Sequence, residues 1–235
     1  MTIRGILFDK DGTLLDFNAT WVPINRAVAS VVAGGDEALT NRLLVEGGQD
    51  DEAGIVKPGS LLAACNTREI ADAWMKLAPD HGQNDLVAAM DEIFQREGAM
   101  TSVPIPGLAK TLSGLKQRGL ALGIATSDSR AGAMATLEPF DVLPLFDFIA
   151  GYDSGHGTKP GPGMVLGFCK AVGLTPDEVL VAGDNLHDLE MGKSAGAGMV
   201  VGVLSGTSAR EDLAPLADVV IDDISGIFAL LDSED

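Results

Sequence analysis

The run Ile3 to Phe8 passes directly into Asp9-Lys10-Asp11-Gly12-Thr13-Leu14-Leu15-Asp16, and this junction decides the reading of the chain. The run has the apolar character of a strand buried on both faces. It ends in two carboxylates two residues apart, where the chain leaves the carboxyl edge of its sheet, and open α/β sheets bind ligands at that edge. Two carboxylates so close repel, so keeping both ionised requires a cation, and hard oxygen ligands suit Mg²⁺. With a metal in place, Asp9 or Asp11 can attack as a nucleophile while the other manages protons. An acidic turn closed by Gly12 is the plainer alternative. A calcium-binding EF-hand loop fails, because Gly12 falls at the wrong position and Thr20 stands where the closing glutamate belongs.

Further apolar runs recur along the chain: Leu120 to Ala125, Phe146 to Ala150, Val179 to Ala182, Met199 to Val203 and Asp218 to Ile221. Between most of them lie segments of helical period, such as Leu108-Leu112-Leu115, Val165-Phe168-Cys169-Val172 and Leu186-Leu189-Met191. The alternation predicts an α/β fold with a doubly wound, mostly parallel, Rossmann-like sheet. From Phe17 to Val103 the pattern is helical without a strand, broken at Gly34-Gly35, Gly47-Gly48, Pro58-Gly59 and Pro79. The chain returns through the stiff segment Val103-Pro104-Ile105-Pro106-Gly107. Residues 1–16 and 104–235 are therefore expected to form a catalytic core, and 17–103 an all-helical cap inserted after the first strand.

Composition narrows the partners. The 235 residues carry 34 acidic and 16 basic side chains, a formal charge of −18, which repels nucleic-acid phosphates and anionic lipid headgroups. Neither nucleic acid nor membrane is expected as a partner. An anionic substrate would require local positive charge to reverse that field. Cys65 and Cys169, far apart in apolar surroundings, offer no disulfide framework and no metal cluster. No stretch reaches the ~20 apolar residues of a membrane span, and the start of the chain lacks a secretory apolar region. A cytoplasmic protein, monomer or homodimer, is the expectation.

Three more elements stand at predicted strand ends. Ile124-Ala125-Thr126-Ser127-Asp128 offers two hydroxyls able to hold a phosphate oxygen, or to cap the following helix. Gly157-Thr158-Lys159-Pro160 sets Lys159 in an extended loop, as a phosphate partner or a solvated lysine. In Gly183-Asp184-Asn185-Leu186-His187-Asp188, two carboxylates four apart share one helical face, to bind metal or to cap the helix. Each is ambiguous alone; their order and placement are not.

Together the four elements resemble the haloacid dehalogenase-like hydrolases, in the branch whose helical cap follows the first motif, as in phosphoglycolate phosphatases. The resemblance implies a Mg²⁺-dependent phosphatase acting on a small phosphorylated metabolite through an aspartyl phosphate. Asp9 would be the nucleophile and Asp11 the general acid and base. Thr126, with Ser127, would hold the phosphoryl group and Lys159 would neutralise it. Asp184 and Asp188 would complete a metal site with Asp9 and the backbone carbonyl of Asp11. Lys10 departs from the apolar residue often found between the two aspartates, and Asn185 with His187 fill the last motif differently from many relatives. His156 and His187 are further candidates to reach substrate, and Arg42, Lys57, Arg68 and Lys76 to meet its leaving group. Alternatives on the same fold are a phosphonoacetaldehyde-type phosphonate hydrolase using Lys57 or Lys76 as a Schiff base, and a phosphomutase. A dehalogenase would lack Asp11. A phospho-accepting signalling domain is smaller, and a phosphate-binding loop at Gly192-Lys193-Ser194 would need glycine where His187 stands.

Overall fold

In the computed structural model, residues 2–78 and 83–232 are described, so Pro79 lies outside them. Six parallel strands form the sheet: β1 (Gly5–Phe8), β4 (Ala121–Ala125), β5 (Phe148–Ala150), β6 (Val179–Gly183), β7 (Met199–Val203) and β8 (Val219–Ile221). Their order is β5-β4-β1-β6-β7-β8. All six predicted strands are present. The sheet grows from β1 toward β4 and β5, then reverses to β6, β7 and β8, which makes the carboxyl end of β1 the switch point.

Side chains alternate across each strand and so face two separate layers. Ile6, Phe8, Leu122 and Ile124 pack with Leu108, Leu112 and Leu115 of the helix Leu108–Gln117. Leu7 and Val181 face the other way, onto Val165 and Phe168 of the helix Gly163–Val172 and Met191 of the helix Leu186–Ala195. Two strand positions are glycine for a packing reason. A Cβ on Gly5 would stand 3.0 Å from the Phe168 ring, and one on Gly123 would stand 2.7 Å from it.

Between β1 and β4 the helices are α1 (Phe17–Val32), α2 (Glu37–Gly47), α3 (Leu61–Ala64), α4 (Thr67–Trp74) and α5 (Gln83–Thr101). They share an apolar cluster of their own, centred on Trp74, Met90, Leu43 and Val28. The expectation of a segment without strands needs correcting. Gln49–Asp50 (β2) and Ile55–Val56 (β3) pair antiparallel. Two-residue strands are too short to print an alternation into the sequence. Among the described residues no helix is long and apolar enough to cross a membrane.

The seating of Phe168 beneath β1 and β4 yields a stability prediction. Phe168→Ala should cost about 3–5 kcal/mol through the cavity it leaves. Gly123→Ala should cost about 1–3 kcal/mol through overpacking against the same ring. Urea unfolding checks both, and equal stability of either variant with the parent would contradict the packing described.

Candidate active site

Each core strand of the switch region delivers one polar side chain to a common cleft. Asp9 follows β1, Thr126 follows β4 and Asp184 follows β6, and all three are buried. Lys159 arrives from the loop before the helix Gly163–Val172, and Asp188 from the first turn of the helix Leu186–Ala195. The Lys159 ammonium donates to Asp9 Oδ1 and to Asp188 Oδ1, at 2.6 Å each. Its side chain is 3% exposed, which excludes the solvated-loop reading. Ligand atoms of Asp9, Asp184 and Asp188 lie within 4.8 Å of one another.

Asp184 and Asp188 converge by a different route from the predicted helical face. The helix begins at Leu186 with Asn185 as its cap, so Asp184 precedes the helix altogether. Asp188 takes the capping role: Oδ2 accepts the Asn185 N–H at 3.0 Å, while Oδ1 accepts from Lys159. Asp184 is held from a loop the sequence reading passed over. Its Oδ2 accepts the Thr207 N–H at 2.8 Å and lies 3.2 Å from the Thr207 hydroxyl. Glycine is required around it, because a Cβ on Gly206 would sit 2.0 Å from that oxygen. Gly12, at φ +89°, meets the same carboxylate from the other side. Thr126 and Ser127 are not helix caps, since Ser129 accepts the capping N–H of Gly132 at 3.0 Å. Thr126 Oγ1 instead accepts the Asp128 N–H.

The charge balance of this cluster fits a small hard cation. Burial raises the Asp9 pKa to about 7; Lys159 opposes that rise, while Asp188 and Asp11 reinforce it. Burial, with the charges of Asp9 and Asp188, raises Asp184 well above the usual carboxylate range. Burial opposes the charge on Lys159, yet Asp188 and Asp9 outweigh it and keep the ammonium charged. One lysine cannot neutralise three buried carboxylates, and an all-oxygen donor set of this kind suits Mg²⁺.

Asp11 belongs to a second network. Its Oδ1 accepts from Lys10 Nζ and from the indole N–H of Trp21, at 2.7 Å each, and the Thr126 hydroxyl lies 3.5 Å from Oδ2. Lys10, the residue that departs from the motif, is completely buried. It also pairs with Asp128 at 3.2 Å, and its ammonium lies 5.0 Å from the centre of the Trp21 ring. Burial disfavours its charge, but Asp11 and Asp128 hold its pKa above the ordinary lysine value.

Helices α1, α3, α4 and α5 close the cleft opposite the carboxylates, through residues that include Trp21, Asn25, Ala64 and Phe94. His187 lines it and lies 3.4 Å from the Ala64 carbonyl oxygen. His156 is elsewhere, packed on the Phe148 ring. Arg42, Lys57, Arg68 and Lys76 are exposed, and none lines the cleft. Trp21 and Lys10 gave no chemical signal in the sequence, although a lysine between two motif aspartates was a visible departure.

An open doubly wound sheet with carboxylates and buried lysines at its switch point defines the class as an α/β enzyme. The model of the haloacid dehalogenase-like hydrolase family matches residues 3–196, and the chain belongs to that family. The resemblance drawn from the motifs is borne out. Phosphoglycolate phosphatase of Salmonella paratyphi A is 27% identical, over 97% of this chain and 92% of its own length. A predicted phosphoglycolate phosphatase from Haemophilus somnus has a similar fold, with TM-score 0.73 and 22% identity over 98% of each chain. So does CbbY from Rhodobacter sphaeroides in complex with phosphate, with TM-score 0.73 and 21% identity over 98% of this chain and 100% of that one.

The Lys10 network predicts a specific loss. Lys10→Met leaves the Asp11 and Asp128 carboxylates buried without their cation and should cost about 3–5 kcal/mol. Adding Asp128→Asn should restore part of that stability. Urea denaturation of the single and double variants measures the coupling, and additive effects would show that the pair is not a unit.

Proposed function

We propose that the protein is a Mg²⁺-dependent phosphomonoesterase, with residues 1–16 and 104–235 as catalytic core and 17–103 as the cap. The observation that carries this reading is the buried ammonium of Lys159, shared between Asp9 and Asp188 beside Asp184. Asp9, Asp184 and Asp188, with the backbone carbonyl of Asp11, would hold the metal. When bound, Mg²⁺ supplies the positive charge that keeps these carboxylates ionised and offsets the charge of the phosphoryl oxygens.

The chain's own residues do the rest. A carboxylate oxygen of Asp9 attacks phosphorus, and the bond from phosphorus to the ester oxygen breaks as the aspartyl phosphate forms. Asp11 gives the departing oxygen its proton. Lys10 and Trp21 both donate to Oδ1 of Asp11, so Oδ2, which faces the Thr126 hydroxyl, is the oxygen left to carry that proton. Asp11 then takes a proton from the water whose oxygen attacks the aspartyl phosphate; inorganic phosphate leaves and Asp9 is restored. Thr126 and Ser127 orient the phosphoryl oxygens, and Lys159 neutralises them in a site shielded from water. The relatives named phosphoglycolate phosphatase support the reaction class. The Schiff-base alternative lacks its amine, since Lys57 and Lys76 are exposed away from the cleft.

Phosphate release from p-nitrophenyl phosphate in Mg²⁺ tests the assignment. Asp9→Asn should abolish turnover while the fold persists. Lys159→Ala should slow it by about 10² to 10³, roughly 3–4 kcal/mol of transition-state stabilisation. A folded Asp9→Asn variant with near-parental turnover would remove Asp9 from the chemistry.

A further inference from the structure

The two halves of the cleft differ in character. The core half is charged, lined by the carboxylates of Asp9, Asp11, Asp128, Asp184 and Asp188 and by Lys159. The cap half is mainly apolar, lined by Phe17, Trp21, Leu62, Ile70 and Phe94 with few polar side chains among them. Phosphoryl transfer at Asp9 places the phosphoryl group in the first half and the leaving group in the second.

The few polar groups on the cap side are already engaged. The Asn25 amide donates to Gln49 Oε1 at 3.0 Å, and the Thr67 hydroxyl donates to Asp91 Oδ1 at 2.6 Å. The Trp21 N–H is taken by Asp11. Burial, reinforced by the charge of Glu69, pushes the Cys65 thiol up, so it stays neutral. No lysine or arginine of the cap lines the cleft among the described residues. Arg26 is turned outward onto Glu37 and Asp51. Lys10, the nearest cation to Asp11, is held by Asp11 and Asp128.

A leaving group with a carboxylate would therefore enter a cap wall that brings it no lysine or arginine, with the His187 ring at its edge, 3.4 Å from the Ala64 carbonyl oxygen, and beside carboxylates that repel it. Burying an unpaired charge is strongly unfavourable, whereas burying hydrocarbon is favourable. We propose that the substrate is the phosphate monoester of a small uncharged alcohol with a largely hydrocarbon skeleton, rather than of a hydroxy acid. This rests on the phosphomonoesterase reading and assigns the leaving-group half of the same site. The likeness to phosphoglycolate phosphatases then extends to the phosphoryl half, while the cap selects differently.

The test compares three esters on the Mg²⁺-loaded protein: 2-phosphoglycolate, its neutral isostere carbamoylmethyl phosphate, and benzyl phosphate, with p-nitrophenyl phosphate as a control for the chemistry. The two neutral esters should each exceed 2-phosphoglycolate in kcat/KM by at least tenfold, benzyl phosphate most. Hydrolysis of 2-phosphoglycolate as fast as its amide, or faster, would overturn the assignment while leaving the phosphatase intact. Failure of all four, p-nitrophenyl phosphate included, would overturn the phosphatase reading and this proposal with it.

Discussion

A single ammonium, that of Lys159 between Asp9 and Asp188, is what allows carboxylates from three different elements to share one buried space. Burial alone would drive such groups to keep their protons. The lysine offsets part of the repulsion and fixes one oxygen of each partner, while Oδ2 of Asp188 accepts the N–H of Asn185. The parallel sheet brings this about geometrically. Strands β1, β4 and β6 are adjacent and in register, so their carboxyl ends lie side by side, and each contributes the first polar residue after an apolar run. The apolar layers on both faces hold those ends in place, and the polar cluster need not hold itself together.

The inserted segment is tied to this cluster by particular bonds. Trp21 on α1 donates to Asp11, and the Ala64 carbonyl oxygen lies 3.5 Å from the Ser127 hydroxyl. Farther out, the Tyr152 hydroxyl donates to Asp91 Oδ2 at 2.6 Å, and Thr67 donates to the other oxygen of that carboxylate. Asp91 thus joins α4, α5 and the loop after β5 in one contact. The segment has an apolar core of its own, and α5 also packs closely on the core helix Arg130–Leu137, where a Cβ on Gly98 would stand 2.5 Å from the Thr136 side chain.

Much of this was legible in the sequence because burial on both faces leaves a mark. The six strand runs are largely apolar, and Asp9, Thr126 and Asp184 each stand where such a run ends. What was not legible depends on contacts between distant segments. Gly206 and Thr207 carry no motif, and their grip on Asp184 exists only because the turn after β7 comes back over the end of β6. Trp21 reads as one more apolar residue of an amphipathic helix, since nothing in helical spacing shows that its N–H ends on a carboxylate. The expected common helical face for Asp184 and Asp188 was wrong in geometry, although the two carboxylates do meet, with ligand atoms within 4.8 Å of each other. Sequence spacing alone could not show that Asn185 begins the helix one residue too late for Asp184 to join it.

Lys10 shows how one unusual residue reorganises its surroundings. An apolar side chain at this position would require only packing. A lysine with no exposed atom requires two anions within reach, and Asp11 and Asp128 supply them. The cation then lies near the Trp21 ring, whose N–H meets the same Asp11 oxygen. Asp11 is thereby constrained from the core and from the inserted segment at once, and its free oxygen is directed toward Thr126. Because Lys10 is neutralised locally, it adds nothing to the field at the leaving-group end. On the proposed reading, the positive charge that an anionic phosphoryl group needs, on a chain of net charge −18, would be confined to Lys159 and the cation that the three carboxylates would hold. A site with its positive charge concentrated at one end orients a substrate by its one anionic group and leaves the other end to be chosen by shape and apolar contact.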